Sequence, residues 1–408
     1  MSALPLSGIK ILDLTRVLAG PLSAQTLADL GAEVIKIERP EGGDDARAFG
    51  PPYLTDPEGK ANNNNSFYLC ANRGKKSVTV NIASPEGQDI IRELAKSCDV
   101  MMENYKVGDL KRYGLDYEAI KKINPGIIYC SVTGFGQTGP YAQRAGYDAI
   151  LQAMGGLMSV TGHIDGEPGA GPMKVGPSIV DYMTGMNTSI GILTALYHRD
   201  AKGGEGQHVD VCLFDTVIAS LSHWLQIYLV NGQTPPRRGT WGNGGMPAGV
   251  FRCTDGELML VVGNDGQFAR TCAVLGAPEL ATDPRFVKNN DRVVHGKEIM
   301  AIFAGLFLKK PTAYWLDELE KAGVPSGPIN NFEQVFADPH VQSRGMKIKV
   351  KHPFEPELAM IRNPLTFSGT PIKDYRAPPL LGADTKEVLA TIGYDDAKVE
   401  ALKKQKIV

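Results

Sequence analysis

Short β-rich runs alternate with helical patterns through the first 135 residues, and this alternation restricts the fold more than any other feature. Ile9–Leu14 (IKILDL), Glu33–Glu38 (EVIKIE), Ser77–Ile82 (SVTVNI), Asp99–Glu103 (DVMME) and Ile127–Val132 (IIYCSV) read as strands. Between them lie helical patterns. One runs through RVLAGPLSAQTLADLG, with Pro21 suited to a first turn and Gly31 to a stop. Others cover Pro85–Lys96 and Tyr117–Ile123. Strand, helix, strand in series predicts an α/β fold with a Rossmann-like, largely parallel sheet. Such a sheet invites a dinucleotide, but the turn after the first strand reads TRVLAGP and lacks the paired glycines of G-x-G-x-x-G. Without them the backbone cannot approach a pyrophosphate in that manner, so no nicotinamide or flavin is expected.

Further along, Gln207–Leu213 reads as another strand and Asp215 to about Val230 as one long apolar helix. The stretch Asn231–Gly249 (NGQTPPRRGTWGNGGMPAG) is too rich in glycine and proline for regular structure and reads as a linker or mobile loop. Beyond it, Val250–Val262 carries a hairpin signal at Thr254-Asp255-Gly256. Helical patterns follow around Asp265–Leu275, Gly296–Leu308 and Thr312–Ala322. The expected division is a large α/β domain over 1–230, a smaller α+β domain over 231–338, and a C-terminal segment over 339–408 that returns to the large domain.

Composition narrows the class of partner. The net charge of −2 comes without any block of like charges, which argues against nucleic acid or an anionic membrane. No apolar run reaches spanning length and no secretory pattern opens the chain. The six cysteines are scattered without a C-x-x-C, and the seven histidines show no ligand spacing. No metal site or disulfide framework is expected, and a cytoplasmic setting is the simple reading.

Two features carry chemistry. The segment Met173–His198 reads as an extended run, then Asp181, then a helix with Met186, Ile190, Leu193 and Leu196 expected on its inward face. Asp181 is either an N-cap of that helix or an ionised carboxylate able to act as a nucleophile. The loops after the strands hold Arg16, Arg39, Asn72 to Lys76, Glu103 to Lys106 and Arg112. Ligands of open α/β sheets bind beyond the carboxyl ends of the strands, so these cations suit a phosphate-rich ligand or an ordinary solvated surface.

The run of segments GIKILDLTRVLAGP, GAEVIKIERP, NRGKKSV, DVMMENYKVG, GYDAI, GEGQHVDVCLFD and APPLLGADTKEVL resembles the class III CoA-transferases, the CaiB/BaiF family, over essentially the full length. The resemblance implies that Asp181 is the catalytic nucleophile, passing through an aspartyl anhydride and an aspartyl-CoA thioester. It places CoA against Val17, Leu18, Arg39, Asn72, Arg73, Gly74, Lys75, Asn104, Tyr105, Lys106 and Arg112. It makes Gly242–Gly245 a flap over the site, and it implies an interlocked homodimer. Because glycine allows close approach, the backbone N–H groups of Gly242, Gly244 and Gly245 are candidate oxyanion donors; the alternative is a disordered linker. No cofactor beyond CoA as co-substrate, and no metal, is implied. Tyr147 stands where the related α-methylacyl-CoA racemases carry a histidine, and a phenol is a poor base at neutral pH. Leu18 and Phe49 replace the glutamine and tryptophan of the formyl/oxalate enzymes. The pattern is similar to the branch using succinyl-CoA with dicarboxylate acceptors, where Arg237 and Arg238 could meet a distal carboxylate or remain solvated. A racemase or epimerase, or a non-catalytic CoA-binding subunit, are the alternatives.

Overall fold

The computed structural model describes residues 3–56, 58–59, 61–242 and 244–408. The chain forms two compact units. One holds the residues up to 157, 175–229 and 344–408; the other holds 158–174 and 230–343. The polar turn His163–Gly171, read from sequence with the large domain, therefore groups with the second unit.

The first unit is organised by six strands: β1 (Lys10–Asp13), β2 (Glu33–Glu38), β3 (Lys75–Thr79), β4 (Val100–Glu103), β5 (Ile128–Thr133) and β6 (His208–Cys212). They lie in the order β3-β2-β1-β4-β5-β6, and every neighbouring pair is parallel. The chain begins mid-sheet at β1, winds out to one edge, crosses back to β4 and winds out to the other. The gap between β1 and β4 is thus a topological switch point, where the connections leave in opposite directions and open a crevice.

The helices of this unit are α1 (Ala19–Asp29), α2 (Pro85–Ala95), α3 (Tyr117–Ile123), α4 (Asp148–Met154), α5 (Ile179–Lys202) and α6 (Leu213–Ser220). α7 (His223–Asn231) follows α6. The continuous helix expected over 215–230 is therefore two, parted at Ser222, whose φ of 46° no α-helix accommodates. Successive strand residues alternate between two covered faces, so buried apolar side chains line both. Ile11, Val34, Val100 and Ile128 pack with Ala24 and Leu27 of α1 and Val180 and Ile192 of α5. Leu12, Ile35, Val78 and Met101 pack with Ile90 and Leu94 of α2 and with Val388, Leu389, Val399 and Leu402 near the C-terminus.

α5 is inverted relative to its apolar periodicity. Ile190 is 60% exposed and Met186 and Leu193 only half-buried, so of the expected inward face Leu196 alone is buried. The buried face instead carries Thr184, Gly185, Thr188 and Ser189 beside Val180, Ile192 and Ala195. Each hydroxyl donates to the carbonyl one turn back, Thr184 to Val180 at 2.7 Å, Thr188 to Thr184 at 2.8 Å and Ser189 to Gly185 at 3.1 Å. Ser189 Oγ also meets Ser23 Oγ of α1 at 2.9 Å. Satisfied this way, the hydroxyls are buried without the cost of an unpaired polar group. At Gly185 an added Cβ would lie 2.8 Å from the Ala19 carbonyl oxygen, so α1 and α5 touch where no side chain intervenes.

The second unit has its own three-stranded antiparallel sheet, Ala248–Arg252 and Glu257–Val261 with Ser326–Pro328, beside helices over 265–274, 296–307 and 312–321. Its core is aromatic: Phe251 stacks on Phe307 at 4.9 Å and Phe268 lies parallel to Phe303. Arg237 of this unit is ion-paired with Asp165. No single helix among the described residues is long and apolar enough to cross a membrane.

Candidate active site

The loops at the carboxyl ends of β1 and β4 are tied together across the switch point. Asn104 Oδ1 accepts the Arg16 N–H at 2.9 Å, and Asn104 Nδ2 donates to the Arg16 carbonyl at 2.7 Å. Beneath them lies a buried charge cluster. Lys36 Nζ donates to the Thr15 carbonyl and to Asp44, both at 2.8 Å, and Asp44 in turn accepts the Val17 N–H at 3.0 Å. These bonds hold Val17 at φ 71°, a conformation a β-branched residue adopts only under constraint. The chain then turns directly into α1, so Val17, Leu18 and Ala19 line a cavity of about 350 Å³.

Asn104, Tyr105 and Lys106 form a second wall of this cavity, and Gln143, Arg144 and Tyr147 a third. Gly134 and Gly146 make the third wall possible: a Cβ on Gly134 would stand 2.7 Å from the Gly146 Cα, so the β5 loop and the approach to α4 are in backbone contact. The cations are pre-set. Asp45 holds Arg16 at 3.1 Å and Arg39 at 2.5 Å, Arg16 lies over the Tyr105 ring, and Arg144 lies over Tyr141.

Asp181 completes the lining, from the first turn of α5. It is not the cap. The N–H groups of Val180 and Asp181 both donate to Asp148 Oδ2, at 2.8 and 3.1 Å, so a carboxylate from α4 satisfies the start of α5. The expectation that the helix entrance keeps Asp181 charged is corrected accordingly. Burial, and then the Asp148 charge, push its carboxyl up to about 7.

Of the residues singled out from sequence, Arg16, Val17, Leu18, Asn104, Tyr105, Lys106, Tyr147 and Asp181 meet at this cavity. Asn72, Arg73 and Lys75 do not, because their side chains are buried in the framework. Arg73 pairs with Asp29 at 2.6 Å, and Lys75 reaches Asp13 at 3.0 Å and Asn72 at 2.9 Å. Gly74 turns beside them with its N–H on the Arg376 carbonyl. Arg39 and Arg112 are solvent-facing and outside the lining; Arg112 lies over Tyr113. Phe49 packs edge-on against Phe67, also outside it. Gly242, Gly244 and Gly245 belong to the second unit, where Gly242 N–H donates to Ala248; Asn243 lies outside the described residues. Asp45, Gln143, Arg144 and Asp148 were missed. The only sequence trace of the wall they help build is the glycine pair 134 and 146, legible as a close approach once the loops are known to touch. Among the described residues no group of His, Cys, Asp and Glu is arranged to hold a metal ion.

The doubly wound sheet thus carries a cation-bearing cleft at its switch point with a half-buried carboxylate in the cleft wall, an arrangement suited to an anionic ligand. The chain belongs to CoA-transferase family III, whose profile matches residues 6–385. It is 44% identical to the succinate–glutarate CoA-transferase of Agrobacterium fabrum, over 95% of this chain and 96% of that one. It is 42% identical to the human succinyl-CoA:glutarate CoA-transferase, over 98% of this chain and 88% of that one. The crystal structure of a CaiB/BaiF family protein from Brucella suis superposes with a TM-score of 0.84 at 42% identity, covering 96% of this chain and all of the other.

Proposed function

We propose that this class III CoA-transferase moves CoA from succinyl-CoA to a dicarboxylic acid such as glutarate, with Asp181 as the covalent carrier. The observation that carries the reading is the Asp181 carboxylate in the wall of a cavity that Arg16, Lys106 and Arg144 also line. Those cations suit the phosphates of CoA. The named relatives, similar over nearly the whole chain, supply the donor and acceptor class.

A thioester must be exchanged for a carboxylate without loss to water, so the acyl group passes through the enzyme. An Asp181 oxygen attacks the donor thioester carbonyl; the C–S bond breaks, leaving a mixed anhydride and CoA thiolate. The thiolate attacks the Asp181 carbonyl carbon, and the anhydride C–O bond breaks to free the donor acid and leave an aspartyl-CoA thioester. The acceptor carboxylate attacks this thioester, expelling the thiolate and forming a second anhydride. The thiolate then takes the new acyl group, and the Asp181 carboxylate returns. No proton moves in any step, so no general base is required, and the lining contains no histidine. Racemisation at an α-carbon needs an acid/base pair on opposite faces, and the Tyr147 phenol is a poor base at neutral pH.

A second copy of the chain is the partner this reading includes. Tyr182, Ile190 and Tyr197 on α5 are 43%, 60% and 60% exposed, an apolar stripe of the kind that marks contact surfaces.

The test is incubation with succinyl-CoA and a panel of carboxylic acids, following new CoA esters by mass. Asp181→Ala is expected to lose transfer by about a thousandfold or more while still binding CoA. Hydroxylamine trapping should label Asp181 in the wild type. Near-wild-type transfer by Asp181→Ala would end the proposal.

A further inference from the structure

The Asp148 carboxylate stands directly behind the nucleophile's turn. It is 8% exposed, and both of its oxygens are committed. Oδ2 accepts the Val180 and Asp181 N–H groups, and Oδ1 accepts Gln152 Nε2 at 2.6 Å. Gln152, fully buried, accepts the Val175 N–H at 2.8 Å through Oε1. One chain of hydrogen bonds therefore joins α4 to the extended segment before α5 and to the first turn of α5 itself. Helix caps ordinarily come from the adjoining residue, yet Ser178 makes no side-chain cap bond here. A cap from a separate helix, 32 residues away in the chain, fixes where the turn sits as well as satisfying it.

We propose that Asp148 is the positioning residue of the transfer reaction: its carboxylate pins the turn bearing Asp181 to α4 and sets a second negative charge behind the attacking oxygen. This rests on Asp181 being the nucleophile, as argued above. The charged and titratable groups lining the cavity beside Asp181 are Arg16, Asp45, Tyr105, Lys106, Arg144 and Tyr147. After burial, only Asp148 contributes to raising the Asp181 carboxyl. A more basic carboxylate is a stronger nucleophile once ionised, and a firmly seated turn keeps it aligned with the thioester carbon.

A plain structural cap and this role differ in pH dependence. Asp148→Asn keeps an acceptor oxygen for the two N–H groups and removes the charge; Asp148→Ala removes both. The measurement is kcat/KM for succinyl-CoA with glutarate against pH, on full-length enzyme. A wild type that transfers no CoA would sink the underlying reading rather than this one. With an active wild type, Asp148→Asn is expected to move the acidic limb down by about half a pH unit or more while retaining most activity at pH 8. Asp148→Ala is expected to lose about tenfold or more across the range, with faster amide exchange at Val180 and Asp181. Gln152→Met, which unpins the cap without removing it, serves if Asp148→Ala folds poorly, and should give a smaller loss of the same kind. An Asp148→Asn profile that coincides with the wild type overturns the proposal, as does full activity in both Asp148→Ala and Gln152→Met.

Discussion

Asp181 keeps its proton to about pH 7 because burial, and then Asp148, oppose its charge. Its folded value lies above its unfolded one, so the stability it contributes is complete below the unfolded value and is lost as pH rises through about 7. Asp181→Asn removes that loss. Calorimetry at pH 5 and pH 8 should find the variant gaining about 1–2 °C more over wild type at the higher pH. An equal difference at the two pH values would show that the site does not hold the carboxyl up. The same comparison explains what was legible residue by residue. Asp181 stood out because an acidic residue between an extended run and a helix has few uses. Lys75 was not legible, because a cation placed in a loop before the predicted strand Ser77–Ile82 looks free to meet a phosphate. It is in fact a strand residue whose partner, Asp13, is 62 residues away, and no local pattern carries that pairing.

At the level of elements, the strands were readable because both faces of the sheet are covered and apolar content follows burial. The helix α5 was read as a helix but its buried face was not, because that face is built from hydroxyls that bond their own helix, and an apolar count assigns such residues to the outside. Where α1 and α5 touch, the limiting dimension is backbone to backbone. Gly185→Val would force its Cβ against the Ala19 carbonyl and part the two helices, at a cost of about 1–3 kcal/mol. Urea unfolding should show the midpoint falling, and transfer should fall with it, since both the Val17–Ala19 wall and the Asp181 turn ride on these helices. An unchanged midpoint would mean the contact is slack.

For the whole molecule, the parallel sheet followed from alternation, whereas its strand order and the grouping of residues 158–174 with the second unit did not, because neither alternation nor a short polar turn marks which neighbour or core a segment joins. The exposed stripe on α5 makes a claim about assembly. Ile190→Glu is expected to shift the sedimentation coefficient from dimer toward monomer at micromolar concentration, and a wild type that sediments as a monomer would discard the partner copy. Connectivity gives the last consequence. The chain re-enters the first unit at Val175, where Gln152 accepts its N–H, and a short extended segment leads from there to Asp181 in the first turn of α5. Between that re-entry point and Asp181, the carrier proposed above, the tether is short, and the Gln152 bond fixes its first residue to α4.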